Sequence, residues 1–203
     1  LSASGSLFST DGGRLSLEGV YSKPFIFQGA GLEASYDAAA QTLSVKKAYV
    51  KASDVEFLLS GDVSIGDTKV IAPVNLKIPH LPQEKIMGLW PDLVKVGSVK
   101  DWLLERLSGG DIDDISAHAD ITLLKNGESW DTKAENITAD FDVRNMTVNY
   151  RAPLLPAAET FGHGRFESDT LSVLIESASV GDMSVKKGTV VIDNVLADKV
   201  GMA

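Results

Sequence analysis

The sequence predicts a mainly β protein: a long, curved antiparallel sheet built from repeated strand–turn–strand units, with one or two short helices in the middle. Three observations carry this. Apolar and polar residues alternate at period two over most of the chain, the pattern of strands with one face turned to an apolar environment. Two of these alternations change phase partway, as a β-bulge requires. One central stretch switches to helical spacing and carries helix start and stop residues.

In chain order, the first strand candidates are Leu15 with Leu17, Phe25 with Phe27, and Leu32-Ala34-Tyr36. Leu43, Val45, Ala48 and Val50 alternate with one slip near Lys46-Lys47. Val55, Phe57 and Leu59 lead on to Val63 and Ile65. Val70, Ala72, Val74, Leu76 and Ile78 follow, and Pro73 places this strand near an edge or a bulge, since proline cannot donate to a ladder. LPQEKIMGLWP reads as a short helix that stops before Pro91, because the residue preceding a proline avoids the α region. In SVKDWLLERLSGG, Ser98 serves as N-cap, Asp101 completes a capping box and Gly109-Gly110 ends the helix. Val99, Trp102, Leu103, Arg106 and Leu107 share its docking face.

The second β series opens with Ile115, Ala117, Ala119, Ile121 and Leu123 on one side and Ser116, His118, Asp120 and Thr122 on the other. Ile137, Ala139, Phe141 and Val143 alternate on odd numbers, then Met146, Val148 and Tyr150 on even ones, which puts the slip at Arg144-Asn145. Leu171, Val173 and Ile175, then Val190 with Ile192, complete the series. The chain thus divides into a β region 1–80, a helical insert 81–110 and a β region 111–203. A weak repeat relates the two β regions. Leu43-Ser44-Val45, Asp54 and Gly61 to Ile65 match Leu171-Ser172-Val173, Asp182 and Gly188 to Ile192, and repeated units of this kind build an elongated array.

Composition narrows the function classes. With 203 residues, 44% apolar and 23% charged, the chain is long enough for a substantial fold and is neither disordered nor a coiled coil. Nineteen basic residues against 28 acidic ones give a net charge of −9, which opposes binding to nucleic acid or to anionic lipid surfaces. The absence of cysteine removes disulfides, thiolate metal sites and cysteine nucleophiles. No run of 18 apolar residues exists to cross a bilayer as a helix. The chain opens at Leu1 and carries strand-like patterning to both ends, so it is expected to be an internal piece of a longer polypeptide.

Catalytic motifs are not found. His80, His118 and His163 are widely spaced, and His118 reads as a surface histidine on the polar side of its strand. Asp111, Asp113 and Asp114 lack the glycine and terminal glutamate of a calcium loop and read as a solvated turn before the next strand. Gly162-His163-Gly164 reads as a turn, and the sequons at Asn136 and Asn145 lie inside strands. Trp90 and Trp102 could form a sugar platform, but docking tryptophans are the preferred reading. No catalytic residue, metal site or cofactor is expected, and the chain is not read as an enzyme. By periodicity alone the apolar faces would best suit the inside of a β-sandwich.

One stretch carries a family resemblance. LPQEKIMGLWPDLVKVGSVKDWLLERLSGGDIDDISAHADITL has Leu89-Trp90-Pro91, a helix with internal Trp102, a turn with Gly109 and then an alternating strand. Tyr150, Leu155-Pro156, Gly162 and Gly164, Leu171-Ser172-Val173 and Gly188-Thr189-Val190 follow in the same order as in that family. Over about Ala30 to Val195 the sequence resembles the periplasmic region of AsmA-like proteins of the YhdP type, bridge-like lipid transfer proteins of the Gram-negative envelope. It departs from the pattern at Gly162-His163, where an apolar-acidic pair is usual, and it lacks the family's N-terminal anchor region.

The resemblance implies an open β trough with an apolar inside, held in the periplasm by an inner-membrane anchor that is not part of this chain. It implies movement of phospholipid toward the outer membrane and support of envelope integrity. Acyl chains would then contact Ala117, Ala119, Ile121, Leu123, Phe141, Val143, Val173 and Ile175. Leu89, Trp90, Pro91, Trp102 and Gly109 would be structural. The expected partners are phospholipid acyl chains and other envelope proteins. Self-association of this piece is expected through strand edges near Leu15 to Phe27 and Val185 to Ile192. The competing expectations are a β-sandwich binding module for carbohydrate or protein, extracellular or of the envelope, and a structural spacer.

Overall fold

The computed structural model describes residues 2–16, 21–90, 105–149, 153–195 and 201–202, the last two as backbone only. The strands are β1 (Ser2–Ser9), β2 (Gly13–Leu15), β3 (Phe25–Phe27), β4 (Gly29–Asp37), β5 (Thr42–Ala52), β6 (Val55–Ile65) and β7 (Lys69–Pro82). A 3-10 turn (Gln83–Lys85) and helix α1 (Ile86–Leu89) follow. Then come β8 (Leu107–Ser108), β9 (Asp111–Asn126), β10 (Ser129–Val148), β11 (Ala157–Glu167), β12 (Thr170–Val180), β13 (Met183–Val185), β14 (Gly188–Asp193) and β15 (Gly201–Met202).

Hydrogen-bonded neighbours run β1-β4-β5-β6-β7-β9-β10-β11-β12-β14-β15, with β13 on β12 and β8 on β10, making one 13-stranded sheet; β2 and β3 form a separate pair. This is one long antiparallel sheet, open because β1 and β15 end the order without meeting. By contacts the chain forms two compact units, residues 1–15, 25–78 and 116–138, and residues 16–24, 79–115 and 139–203.

In the first unit, period-two alternation becomes cross-strand rows. Leu7, Leu32, Ala48, Leu59 and Leu76 oppose one another from β1 through β7. Ala30, Val50 and Phe57 form a second row, and Tyr36, Leu43 and Val63 a third. The opposite side carries Ser6, Glu33 and Lys47, and Ser60 with Asn75. The expected slip in β5 is present: the register of both flanking pairs shifts there, and Val45 and Ala48 stay on one face while Lys46 and Lys47 are exposed. Without that extra residue, one half of β5 would turn its apolar set to the polar face.

Of the two placements expected for Pro73, the edge is a correction: β7 is interior, between β6 and β9. The pairing recorded between β6 and β7 lapses from Ser60↔Asn75 to Ser64↔Ile71, and a Cβ on Gly61 would overlap the Pro73 carbonyl. Glycine opposite the proline lets the backbones close up where a ladder bond is missing.

In the second unit, Ile86 and Leu89 of α1 are buried, and the helix stops at Trp90, which is extended ahead of Pro91 as expected. Pro91, Trp102 and the expected cap at Ser98 lie outside the described residues. Glu105 and Arg106 are helical, but Leu107 is not part of that helix: it pairs with Val148 as strand β8. Gly109 and Gly110 have φ of 63° and 71°. A Cβ on Gly110 would collide with the carbonyls of Arg144 and Asn145, so this glycine lets the turn close on β10.

Two further corrections concern the second unit. Gly162-His163-Gly164 is not a turn but the middle of β11. Asp111, Asp113 and Asp114 are not a solvated turn but the start of β9, with a bulge conformation at Asp114 (φ 50°). The slip in β10 is as expected: Asn145 takes φ 52°, and Met146 beyond it is 1% exposed.

Candidate functional site

The candidate site is the apolar side of the sheet, and each unit carries its own part of it. In the first unit, His118 Nδ1 lies 3.0 Å from Asn75 Oδ1, and its Nε2 is 3.3 Å from Asp120. Asn75 belongs to the polar face, one residue from inward Leu76. The even residues of β9 therefore face away, and Ala117, Ala119, Ile121 and Leu123 share the side of Leu76 and Leu59. All four are half-buried.

In the second unit, Val173 opposes Gly164 and Val190, Ile175 opposes Gly162 and Gly188, and Leu171 opposes Phe166 and Ile192. Phe141 lies on the same side, because its ring occupies the space a Cβ on Gly164 would need. Phe141, Val143, Val173 and Ile175 are likewise half-buried. The eight candidates thus fall as two sets of four, one in each unit.

None of the eight falls below the exposure of a packed core residue, while Ala52, Val55 and Met146 do, at 1% each. Inward residues of a sandwich are covered by a facing layer about 10 Å away. All eight candidates keep part of their apolar surface accessible. Such a surface offers contact with aliphatic groups and no bond-making chemistry.

The structure also holds charge clusters that spacing in the sequence did not reveal. His80 Nδ1 is 2.6 Å from Asp113 Oδ1, and Arg144 Nε donates to Asp113 Oδ2 at 2.7 Å. His163 Nδ1 is 2.9 Å from Asp142, with Asp140 at 3.6 Å and Arg165 between Asp140 and Glu167. The Asp113 hydrogen bond holds the His80 pKa above its ordinary value against the lowering effect of desolvation. The Asp142 hydrogen bond does the same for His163. These groups lie 33 and 21 residues apart in sequence, so only the strand register brings them together. Among the described residues no group of three or more histidine, cysteine or acidic side chains could hold a metal ion.

Of the residues singled out by the family pattern, Leu89 is buried at the end of α1, and its carbonyl accepts a hydrogen bond from the Tyr21 hydroxyl at 2.9 Å. Trp90 is half-buried beside it. Gly109 sits at the turn into β9 with open space where a side chain would be. Trp102 and Tyr150 lie outside the described residues. No described helix is long and apolar enough to cross a membrane. No family model, no curated protein and no solved structure matches the chain.

Proposed function

We propose that this chain is a periplasmic segment of an inner-membrane-anchored protein that supports phospholipid transport toward the outer membrane and envelope integrity. Acyl chains rest on the apolar side of the sheet, while the histidine–carboxylate side meets water. The observation that supports this reading most is the partly exposed apolar face of each unit, with alternation kept in phase by bulges at Lys46-Lys47 and Asn145. A strand that repairs its phase in this way keeps its apolar residues on one side through the irregularity. Each methylene moved from water onto such a surface contributes at most about 0.8 kcal/mol, so a few methylenes suffice for capture and no single contact prevents sliding. Transfer by this route uses no catalytic residue. The anchor, the compartment and the contacts with other envelope proteins belong to the proposal through the family resemblance.

The test is lipid copurification. The chain, exported to the periplasm of a Gram-negative host and purified without detergent, is extracted and its lipids weighed by mass spectrometry. Phospholipid in a fixed ratio to protein is expected, reduced by Ile121→Asp combined with Val173→Asp. Protein free of phospholipid would count against the proposal.

A further inference from the structure

The second unit carries a cavity of about 400 Å³, within the range of small-ligand sites. A regular pleated sheet has no such hollow, and this one forms where irregularities in neighbouring strands coincide. Strand β10 bulges at Asn145, with φ 52°. Strand β11 slips against β12 on both sides of Phe161, and Glu159 beside that slip has φ 49°. The pairing of β13 with β12 stops at Ala178↔Val185 and that of β14 starts at Ile175↔Gly188, which leaves Glu176 and Ser177 without register partners on that side. Bulges re-aim side chains, and Asn145, Glu159, Phe161, Ser177, Ser179 and Lys186 all line the cavity. In β11, Thr160, Gly162 and Gly164 are buried while Phe161, His163 and Arg165 are exposed. The Phe141 ring occupies the inward side at Gly164, so Phe161 faces the other way, and its side chain is 40% exposed there.

We propose that this cavity binds a neutral saccharide of one or two rings, the C–H face of a ring stacked on Phe161. An exposed aromatic side chain in a polar hollow suits a ligand with an apolar face and a polar rim, the make-up of a pyranose. The Ser177 hydroxyl and the Asn145 amide each donate and accept, as sugar hydroxyls do. Ser179 Oγ donates to Glu159 Oε2 at 3.1 Å, which leaves the serine lone pairs to accept from a ligand. Glu159 and Lys186 give the lining one charge of each sign, so its net charge selects neither an anion nor a cation. The site stands apart from the acyl-chain candidates of this unit, which share the side of Phe141, and does not depend on lipid contact.

Heteronuclear NMR of the protein tests this, with maltose, cellobiose and N,N′-diacetylchitobiose as probes and phosphate and glycine as the anionic and zwitterionic comparisons. At least one of the disaccharides is expected to shift the amide signals of Phe161 and Ser177 with a Kd of about 0.1–5 mM. Phe161→Ala, checked for an unchanged Tm, should weaken binding about tenfold, and Phe161→Trp should preserve it. Lys186→Gln keeps a donor without the charge and should leave the affinity close to the parent's. No shift with any disaccharide up to about 20 mM, an affinity unmoved by Phe161→Ala, or tighter binding of phosphate or glycine at these residues would overturn the proposal.

Discussion

Phe141 and Gly164 show how closely the apolar side is fitted. A Cβ on Gly164 would enter the Phe141 ring, so Gly164→Ala is expected to destabilise the protein by about 1–3 kcal/mol, the usual cost of overpacking. Urea unfolding measures it, and Phe141→Leu in the same background should restore part of the loss. The raised pKa values of His80 and His163 have a defined sign. A group whose pKa is higher when folded adds stability below its unfolded value, about 6.5, and that stability is lost as pH rises through the folded value. His80→Gln with His163→Gln should therefore lower Tm near about pH 5 and leave it close to the parent's near about pH 9. Equal loss at both would assign the histidines a packing role.

At the scale of the element, bulges and turns are held by residues that tolerate positive φ. Asn145 at φ 52° carries the slip in β10. Asn145→Val should cost about 1–2 kcal/mol, while Asn145→Gly should be nearly neutral. The hairpins β5–β6 and β11–β12 turn on Ser53-Asp54 and Ser168-Asp169, with φ of 50° and 65° and of 51° and 65°. Two-residue loops positive at both positions favour asparagine first, so Ser168→Asn should raise stability by a few tenths of a kcal/mol, read as a higher urea midpoint. Both bulges were legible in the sequence, because a phase change in a period-two pattern has few other causes. Strand β1 was not, since serine, glycine and alanine give no alternation to read. Strand β11 was missed for a related reason: its inward positions are Gly162 and Gly164, and glycine reads as a turn until the Phe141 ring above it is known. The edge placement of Pro73 failed because the sequence does not show that Gly61 lies opposite.

For the molecule as a whole, the apolar face was legible residue by residue, but its exposure was not. The same alternation describes a covered sandwich face and an open one, and the difference lies in what stands across from it. The polar clusters were equally hidden, since they depend on which strand neighbours which. The proposed function rests on that partly exposed face, and on contact between it and acyl chains in the cell. The most direct measurement is site-specific photo-crosslinking in a Gram-negative envelope, with a benzophenone amino acid at Ile121 and Val173 on the apolar side and at Thr122 and Leu174 on the other. The account predicts adducts of phospholipid mass at Ile121 and Val173, and none at Thr122 and Leu174. Capture of protein alone at Ile121 and Val173, or lipid adducts equal on both sides, would contradict it.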